Sequence, residues 1–438
     1  MTSLKDKATK ITPSHWVLEG LPCPVDVFLN DALFQASEDN AWAQIEGSSK
    51  LPGVKKIVIT PDMHMGYGVP IGCVIETEGT LLPTAAGYDI NCGMCVIKTD
   101  LTLNDVRSKD QRRRWMKKVE SLIGVGKGHA GHQDIPPEDF KDIITRGALA
   151  LGPGRQNSER DFLPVDPDLS PPHPVAVLKA NQLGSLGGGN HFIEMQVGQD
   201  GRVWVMLHTG SRGFGYKIAE HYFAQGRYSQ GLEKKDEDLV WFDADSKIGR
   251  DYWNDHNRAA NFAIVNRLLI AQEVIHALKT VFGGEAEVFY EISHNLIQQE
   301  GDRFVHRKGA TRAFPAYHPL LMGTKWEDTG HPILIPGSME EGAAILFALR
   351  GSSESAYSIN HGAGRRLGRN QARKKLDQQY VNEKMNSMDI LVNTRDVPLD
   401  ESGQCYKDLG AVLDTVEDAG LATVTERLRP VAVIKGED

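Results

Sequence analysis

The sequence predicts an α+β protein, one large domain of mixed strands and helices spanning residues 1–438. Three observations lead there. Short apolar runs and helical stretches alternate without the regular βαβ rhythm of a doubly wound sheet. No internal repeat or low-complexity tract divides the 438 residues. A single polar grammar also recurs along the chain: a ligand-type side chain at a strand end, beside glycine or asparagine.

In order, residues 1–50 read as a helical and loop lead-in. The run 54–59 is a strand, followed by the turn-rich segment 61–68; strands at 73–77 and 93–99 come next. A polar helix is expected over about 103–123, capped by Thr102 or Asn104. Residues 152–174, dense in Pro, Gly and Asp, predict a long surface loop. Strands 191–197 and 203–208 flank a glycine-bounded turn and form a hairpin. A helix over 246–282 carries Ala260, Ile264, Leu268 and Ile275 at helical spacing. Strands follow at 287–292, 333–335 and 345–349, then a helix at 366–376 and a last strand at 431–434.

The net charge of −9 and pI near 5.9 argue mildly against a nucleic-acid binder. Two clusters run the other way: Arg112-Arg113-Arg114 with Lys117-Lys118, and Arg365, Arg366, Arg369, Arg373, Lys374 and Lys375. They give either a basic groove on an acidic body or a solvated helix face. No stretch approaches the roughly 20 apolar residues of a membrane span, and residues 1–10 lack a signal-peptide core. Five scattered cysteines make no disulfide framework, so a reducing, cytoplasmic setting is expected.

The turn Gly87-Tyr88-Asp89-Ile90-Asn91-Cys92-Gly93 places a carboxylate and a thiol three positions apart, just before the apolar run 94–97. Burying that pair is costly unless a cation joins it. Asn190-His191 after Gly187-Gly188-Gly189, His208, His294-Asn295 and Asn360-His361 repeat the pattern. Any one of these histidines is more often a hydrogen-bonded structural residue than a ligand, but together they point to a metal. One thiolate, one carboxylate and three imidazoles suit zinc, manganese or iron. If Cys92 bridges, two ions share the set, Asp89 and His191 on one side and His208 and His294 on the other. Paired ions serve phosphoryl chemistry. A Cys92–Cys95 redox pair is disfavoured, because residues three apart on a strand face opposite ways.

His361 is followed by Gly362-Ala363-Gly364 and a basic segment. A neutral imidazole beside a metal-bound triphosphate can attack it as a nucleophile; a capping histidine is the bland alternative. On the expected helix Arg365 and Arg369 lie four apart, face one way and can hold successive phosphates.

The segment 61–72, the Asp89–Cys92 turn, Gly188-Gly189-Asn190-His191-Phe192, His208-Thr209-Gly210-Ser211-Arg212-Gly213, 306–311 and His361-Gly362-Ala363-Gly364-Arg365 closely resemble the RtcB family over about residues 55–436. The resemblance implies a GTP- and manganese-dependent ligase joining RNA 2′,3′-cyclic phosphate or 3′-phosphate ends to 5′-hydroxyl ends. It implies a guanylylated His361, an RNA-3′-pp-5′-G intermediate, and two Mn2+ ions on Asp89, Cys92, His191, His208 and His294. It implies nucleotide contacts from Asn190, Phe192, Glu194, Asn295, Lys435 and Gly362-Ala363-Gly364, with Pro336-Gly337-Ser338-Met339 on the guanine side. Arg212, Arg365 and Arg369 match phosphate contacts. RNA with broken ends (tRNA halves or damaged RNA) and an archease-like activator are the implied partners. One departure stands out: Glu340-Glu341 follow Met339 where the family usually continues Gly-Thr. Those carboxylates can accept from guanine or be solvated, and they suggest a divergent, repair-type branch. A binuclear metallo-phosphodiesterase acting on RNA ends, and a non-catalytic RNA-binding factor, are the alternative readings.

Overall fold

The computed structural model describes residues 3–131, 135–152, 162–169, 181–232 and 238–436. Helices and strands are mixed throughout, as the α+β expectation requires. One sheet orders seven strands as Ala8–Thr12, His15–Leu18, Val25–Val27, Val54–His64, Ile71–Thr77, Arg303–Lys308 and Asn295–Glu300. The second runs Ala286–Ser293, Gly93–Thr102, Arg202–Thr209, Phe192–Val197, Ala422–Lys435, Ala343–Ala348 and Pro332–Pro336, with Leu391–Val392 added alongside Ala422–Lys435.

Residues 1–50 are therefore not a helical and loop lead-in. They supply three strands, which the sequence hides because Ala8–Thr12 is almost wholly exposed and shows no apolar alternation. Val25–Val27 pairs parallel with Val54–His64. A parallel pair needs a crossover, and helices Asp31–Ala36 and Asp39–Ser49 provide it.

The second sheet is covered on both faces, which explains the uninterrupted apolar run at 94–97. Cys95 and Ile97 pack with Trp115, Ile193 and Val274 under the helices Lys109–Leu122 and Lys247–Phe282. Met94 and Val96 face Tyr290, Phe314 and Trp326 on the other side. Cys95 lies in the core rather than beside Cys92's partners, and burial pushes its thiol well above the ordinary range.

Several boundaries move for physical reasons. The expected 103–123 helix begins at Lys109, capped by Ser108 accepting from Gln111 N. Thr102 is instead the last residue of a strand, donating to Asp105. The expected 366–376 helix spans only Arg369–Lys375, because Arg365 bridges Tyr406 and the Arg366 amide donates to the Cys405 carbonyl at 2.9 Å. The final strand is longer than expected, Ala422–Lys435. The helix Arg212–Gln230 and the strands Asn295–Glu300 and Arg303–Lys308 went unforeseen. Of the expected surface loop, residues 153–161 and 170–174 lie outside the described residues; Leu163 is buried in the core.

The 36-residue helix Lys247–Phe282, capped by Ser246, packs into two of the core clusters. It is buried along most of its length, polar residues included, and buried polar groups need partners. Asn254 accepts from Asp166 N at 2.7 Å, Asn257 donates to Pro164 O at 2.8 Å, and Asn261 accepts from Leu163 N at 2.7 Å. Asn266 accepts from Gly184 N at 2.8 Å and donates to Gly210 O at 3.2 Å. Arg267 donates to Asn91 O at 2.6 Å and Thr209 O at 3.0 Å, and pairs with Glu291. Loops that share no strand are thus nailed to one rod.

Candidate metal and nucleotide centre

Cys92 immediately precedes strand Gly93–Thr102, whose first residues pair with the end of Arg202–Thr209: Gly93 opposes Thr209 and Met94 opposes His208. His208 in turn opposes Phe192, the residue after His191. Ser293 opposes Gly93, so His294, whose amide donates to Cys92 O at 2.8 Å, arrives at the same edge. Strand register gathers four candidate ligands that lie as far apart in sequence as Cys92 and His294.

Two groups of ligand atoms form there, Cys92 with His208 and His294, and Asp89 with Cys92 and His191, each within 4.8 Å. Cys92 belongs to both. Its sulfur lies 3.1 Å from His208 Nε2 and 3.4 Å from His191 Nε2. His208 Nε2 is 3.2 Å from His294 Nε2, and His191 Nε2 is 3.0 Å from Asp89 Oδ2. The partition matches the one expected for a bridging thiolate. Asp89 rests on Gly210, where a Cβ would come within 2.4 Å of Oδ1.

The donor chemistry fits divalent cations. His208 Nδ1 donates to Asn190 O at 3.2 Å, which turns the Nε2 lone pair inward. His191 Nδ1 lies 3.0 Å from Leu186 O and 3.1 Å from an Arg212 nitrogen. The carbonyl only accepts and the guanidinium only donates, so one bond forms at a time. Donation to Leu186 O is the arrangement that frees Nε2 for a metal.

Burial holds His208 and His294 well below the ordinary imidazole range, and lowers His191. Neutral imidazoles are the form that ligates. Burial, then the charge of Asp89, push the Cys92 thiol well up; a bound cation reverses that. Burial alone would raise Asp89, but the His191 hydrogen bond and the nearby positive groups outweigh it and hold the carboxyl at about 2.

His361 follows strand Ser358–Asn360, and its ring centroid lies 4.7 Å from that of His294. Its Nδ1 donates to Asp62 Oδ2 at 2.6 Å and to Gly309 O at 2.8 Å. Both partners are acceptors, so Nδ1 carries a proton, and in the neutral ring the lone pair is on Nε2. Asp62 is fully buried and also accepts from Thr60 Oγ1 at 2.6 Å. Burial works to raise it, yet the His361 and Thr60 hydrogen bonds leave it below the ordinary carboxyl value. Gly364 lets the chain turn back over this pair: its φ is +79°, and a Cβ would sit 2.3 Å from Asp62 O.

A cavity of about 250 Å³ opens beside His361 and His208. Of the expected nucleotide and phosphate residues, Asn190, Phe192, Glu194, Pro336, Gly337, Ser338, Met339, Gly362, Ala363, Gly364, Arg365, Arg369 and Lys435 line it. Two do not. Asn295 instead accepts from Gly309 N at 2.9 Å and reaches Asp89 O at 3.5 Å, tying the candidate metal loop to the backbone that holds His361. Arg212 lies against His191. His64, Ile71, Glu401 and Tyr406 also line the cavity; the first two stand in the segment 61–72 that carries the resemblance, and no local pattern in the sequence marks the others.

Arg365 and Arg369 do not share a helix face, since the helix starts at Arg369. They converge on the Glu401 carboxylate instead, Arg365 at 3.4 Å and Arg369 at 3.5 Å. Arg365 donates to Asp400 O at 2.6 Å and Tyr406 Oη at 3.1 Å, and Arg369 to Asp400 Oδ2 at 3.1 Å. Lys435 pairs with Glu401 at 3.0 Å. The helix N-terminus expected next to His361 is correspondingly displaced to Gly368.

Glu340 and Glu341 are absent from the cavity lining. Glu340 pairs with Lys384 at 2.5 Å and accepts from Gly403 N at 2.9 Å. Glu341 accepts from Leu409 N at 3.0 Å and Ser338 Oγ at 3.2 Å. The doubled carboxylate braces the loop bearing Ser338. In the first basic cluster Arg112 is buried, donating to Val431 O at 2.7 Å and pairing with Asp389, so it belongs to the frame.

Among the described residues no helix is long and apolar enough to cross a membrane. The family model described as tRNA-splicing ligase RtcB matches residues 44–436. A protein named tRNA-splicing ligase RtcB from Thermococcus kodakarensis is 33% identical over 94% of this chain and 95% of its own length. One of the same name from Pyrobaculum aerophilum is 33% identical over 95% and 96%. An RNA-splicing ligase RtcB homolog 1 from Entamoeba dispar is 30% identical over 99% and 91%. With the match running from the crossover helix Asp39–Ser49 to the last strand, the chain belongs to the RtcB family.

Proposed function

We propose that this protein is an RNA ligase that uses GTP and two manganese ions to join 2′,3′-cyclic phosphate or 3′-phosphate ends to 5′-hydroxyl ends. One observation carries the reading. His361 has its Nδ1 engaged by Asp62 and Gly309, which leaves Nε2 of the neutral ring as a nucleophile, and its ring lies beside His294 on the lining of the cavity of about 250 Å³. A hydrolase needs the candidate metal ligands but has no use for that arrangement.

Nε2 attacks the α-phosphorus of GTP: an N–P bond forms, and the bond to pyrophosphate breaks. The imidazolium so formed keeps its Nδ1–H on the buried Asp62 carboxylate, which offsets the new positive charge. A cyclic RNA end is opened by water to the 3′-phosphate. An oxygen of that phosphate takes the guanylyl group, the N–P bond breaks, and His361 is regenerated. The 5′-hydroxyl then attacks the RNA phosphorus, loses its proton and expels GMP. Asp89, Cys92, His191, His208 and His294 would hold the ions, which when bound neutralise phosphate charge and favour ionisation of the attacking hydroxyl. Lys435, Arg365 and Arg369 are the cations placed to meet phosphate oxygens, in exchange for Asp400 and Glu401.

Incubation with α-labelled GTP and manganese tests this. Expected is acid-labile label on the wild-type chain, none on His361→Ala, and sealing of a defined two-piece RNA. An unlabelled protein that still hydrolyses cyclic-phosphate RNA ends would establish the metallo-phosphodiesterase instead. Addition of an archease-like activator should raise turnover without changing the products, and a cytoplasmic setting suits the five free thiols.

A further inference from the structure

The segment that carries Asp62 and His64 leaves its sheet. Ile59 pairs with Cys73 and His64 with Ile71, so residues 60–63 stand against Gly72 alone. Gly72 makes the room: its φ is +77°, and a Cβ there would come within 2.6 Å of Asp62 Oδ1. Backbone that quits a ladder must find partners elsewhere, and here side chains from distant parts of the chain supply them. Lys407 Nζ donates to Met63 O at 2.5 Å and to Pro61 O at 3.2 Å. Lys308 Nζ donates to Tyr67 O and, at 3.3 Å, to Val69 O. Gln44 accepts from Gly66 N at 3.1 Å and donates to Gly66 O at 2.7 Å.

The two lysines are a costly choice. Neither forms an ion pair among the described residues, and burial holds each amine at about 8 against an ordinary 10.5. A buried charge without a counter-charge is expensive, and a neutral donor would fill the same carbonyls at less cost. What Lys407 adds is placement. The carbonyls it takes are those on either side of Asp62. Its own amide donates to Gly364 O at 2.9 Å, in the turn that follows His361 and packs on Asp62 O. Asp62 also accepts from Thr60 Oγ1 and, through its carbonyl, from His64 Nδ1 at 2.8 Å. Those two donors belong to the same segment and move with it, so they cannot fix where Asp62 stands relative to His361. Lys407 grips both sides, the carboxylate's segment by its side chain and the nucleophile's turn by its main chain.

We propose that Lys407 is a positioning residue for guanylyl transfer, holding Asp62 where its carboxylate keeps the proton on His361 Nδ1 and the lone pair on Nε2. The inference rests on the ligase reading for the reaction; the contacts from Lys407 to Asp62 and His361 do not depend on it.

Lys407→Met keeps the stem and removes the donors. A misplacement of about 1 Å costs about 100-fold in rate, so in the full-length protein with manganese kcat for guanylylation should fall about 10- to 100-fold. KM for GTP and manganese content should hold, because Lys407 does not line the cavity. Lys407→Arg, which can donate to both carbonyls, should recover most of the rate. A second readout needs no turnover. The 2.6 Å hydrogen bond from His361 to Asp62 should give a far-downfield imidazole N–H resonance, assigned by its loss in His361→Ala. Lys407→Met should shift or broaden that signal, and Lys407→Arg restore it. An unchanged kcat, a raised KM alone, or a resonance identical in wild type and Lys407→Met overturns the inference. Should Lys407→Met fail to fold, Lys407→Gln, neutral and too short to span both carbonyls, takes its place with the same outcomes. If the wild type takes no label while its resonance still depends on Lys407, the positioning stands and the ligase reading falls.

Discussion

Asp62 and His361 are 299 positions apart in the chain and 2.6 Å apart in the fold. Asp62→Asn keeps an acceptor for Nδ1–H but removes the charge that offsets the imidazolium. Guanylylation should fall about 10²- to 10⁴-fold, with manganese content by elemental analysis unchanged. Loss of metal along with label would mean that Asp62 supports the fold rather than the nucleophile. Glu194 offers a pH test. Burial raises its carboxyl to about 7 against an ordinary 4.5, despite a hydrogen bond from Gln196. Between those values the folded chain holds a proton that the unfolded chain has released, so stability falls as pH rises through that window. Glu194→Gln should therefore melt above wild type at pH 8, with the gap closing towards pH 5; a constant gap would refute the assignment. At this scale the candidate ligands are legible because each stands at a strand end beside glycine or asparagine. The roles of Asp62 and His64 are not, although both stand in the segment 61–72 that carries the resemblance, and nothing local marks Glu401 or Tyr406, since one polar residue acquires its partner only through tertiary packing.

The helix Lys247–Phe282 was legible as an element, because its apolar residues recur at helical spacing and Ser246 supplies a cap. Its use of asparagine and arginine was not, since in sequence these read as a solvated face. Arg267 is completely buried on Glu291 and two carbonyls. Arg267→Met strands the Glu291 charge and should cost about 3–5 kcal/mol, read from urea unfolding. Changing Glu291 to Gln as well should recover part of that loss, and failure to recover any would mean that the carbonyl contacts dominate. The shortened helix at Arg369 shows the opposite error: local propensity favoured starting at 366, and pairing of Arg365 and Arg366 with 405–406 prevailed.

For the whole molecule, the mixed α+β character followed from element order, while the pairing of segments hundreds of residues apart had no local signature. Both candidate cation groups draw on distant strands, so a metal bound there would couple to global folding. A ligand that binds only the native state stabilises it by mass action, about 2.7 kcal/mol at a hundred times its Kd. Stripping with a chelator should lower the melting temperature, and manganese should restore it. Cys92→Ala, which removes the atom common to both groups, should lose most of that response. A melting curve indifferent to manganese would count against any resident ion.

Strand Ala422–Lys435 lies between Phe192–Val197 and Ala343–Ala348 in the middle of its sheet, and ends at Lys435 inside the cavity. A nascent or truncated polypeptide stopping before residue 422 lacks the seam that holds the two halves of that sheet together. Such a fragment has neither the lysine nor the wall it projects from. On the proposed reading, a half-made copy consequently has no complete cavity in which to receive a nucleotide.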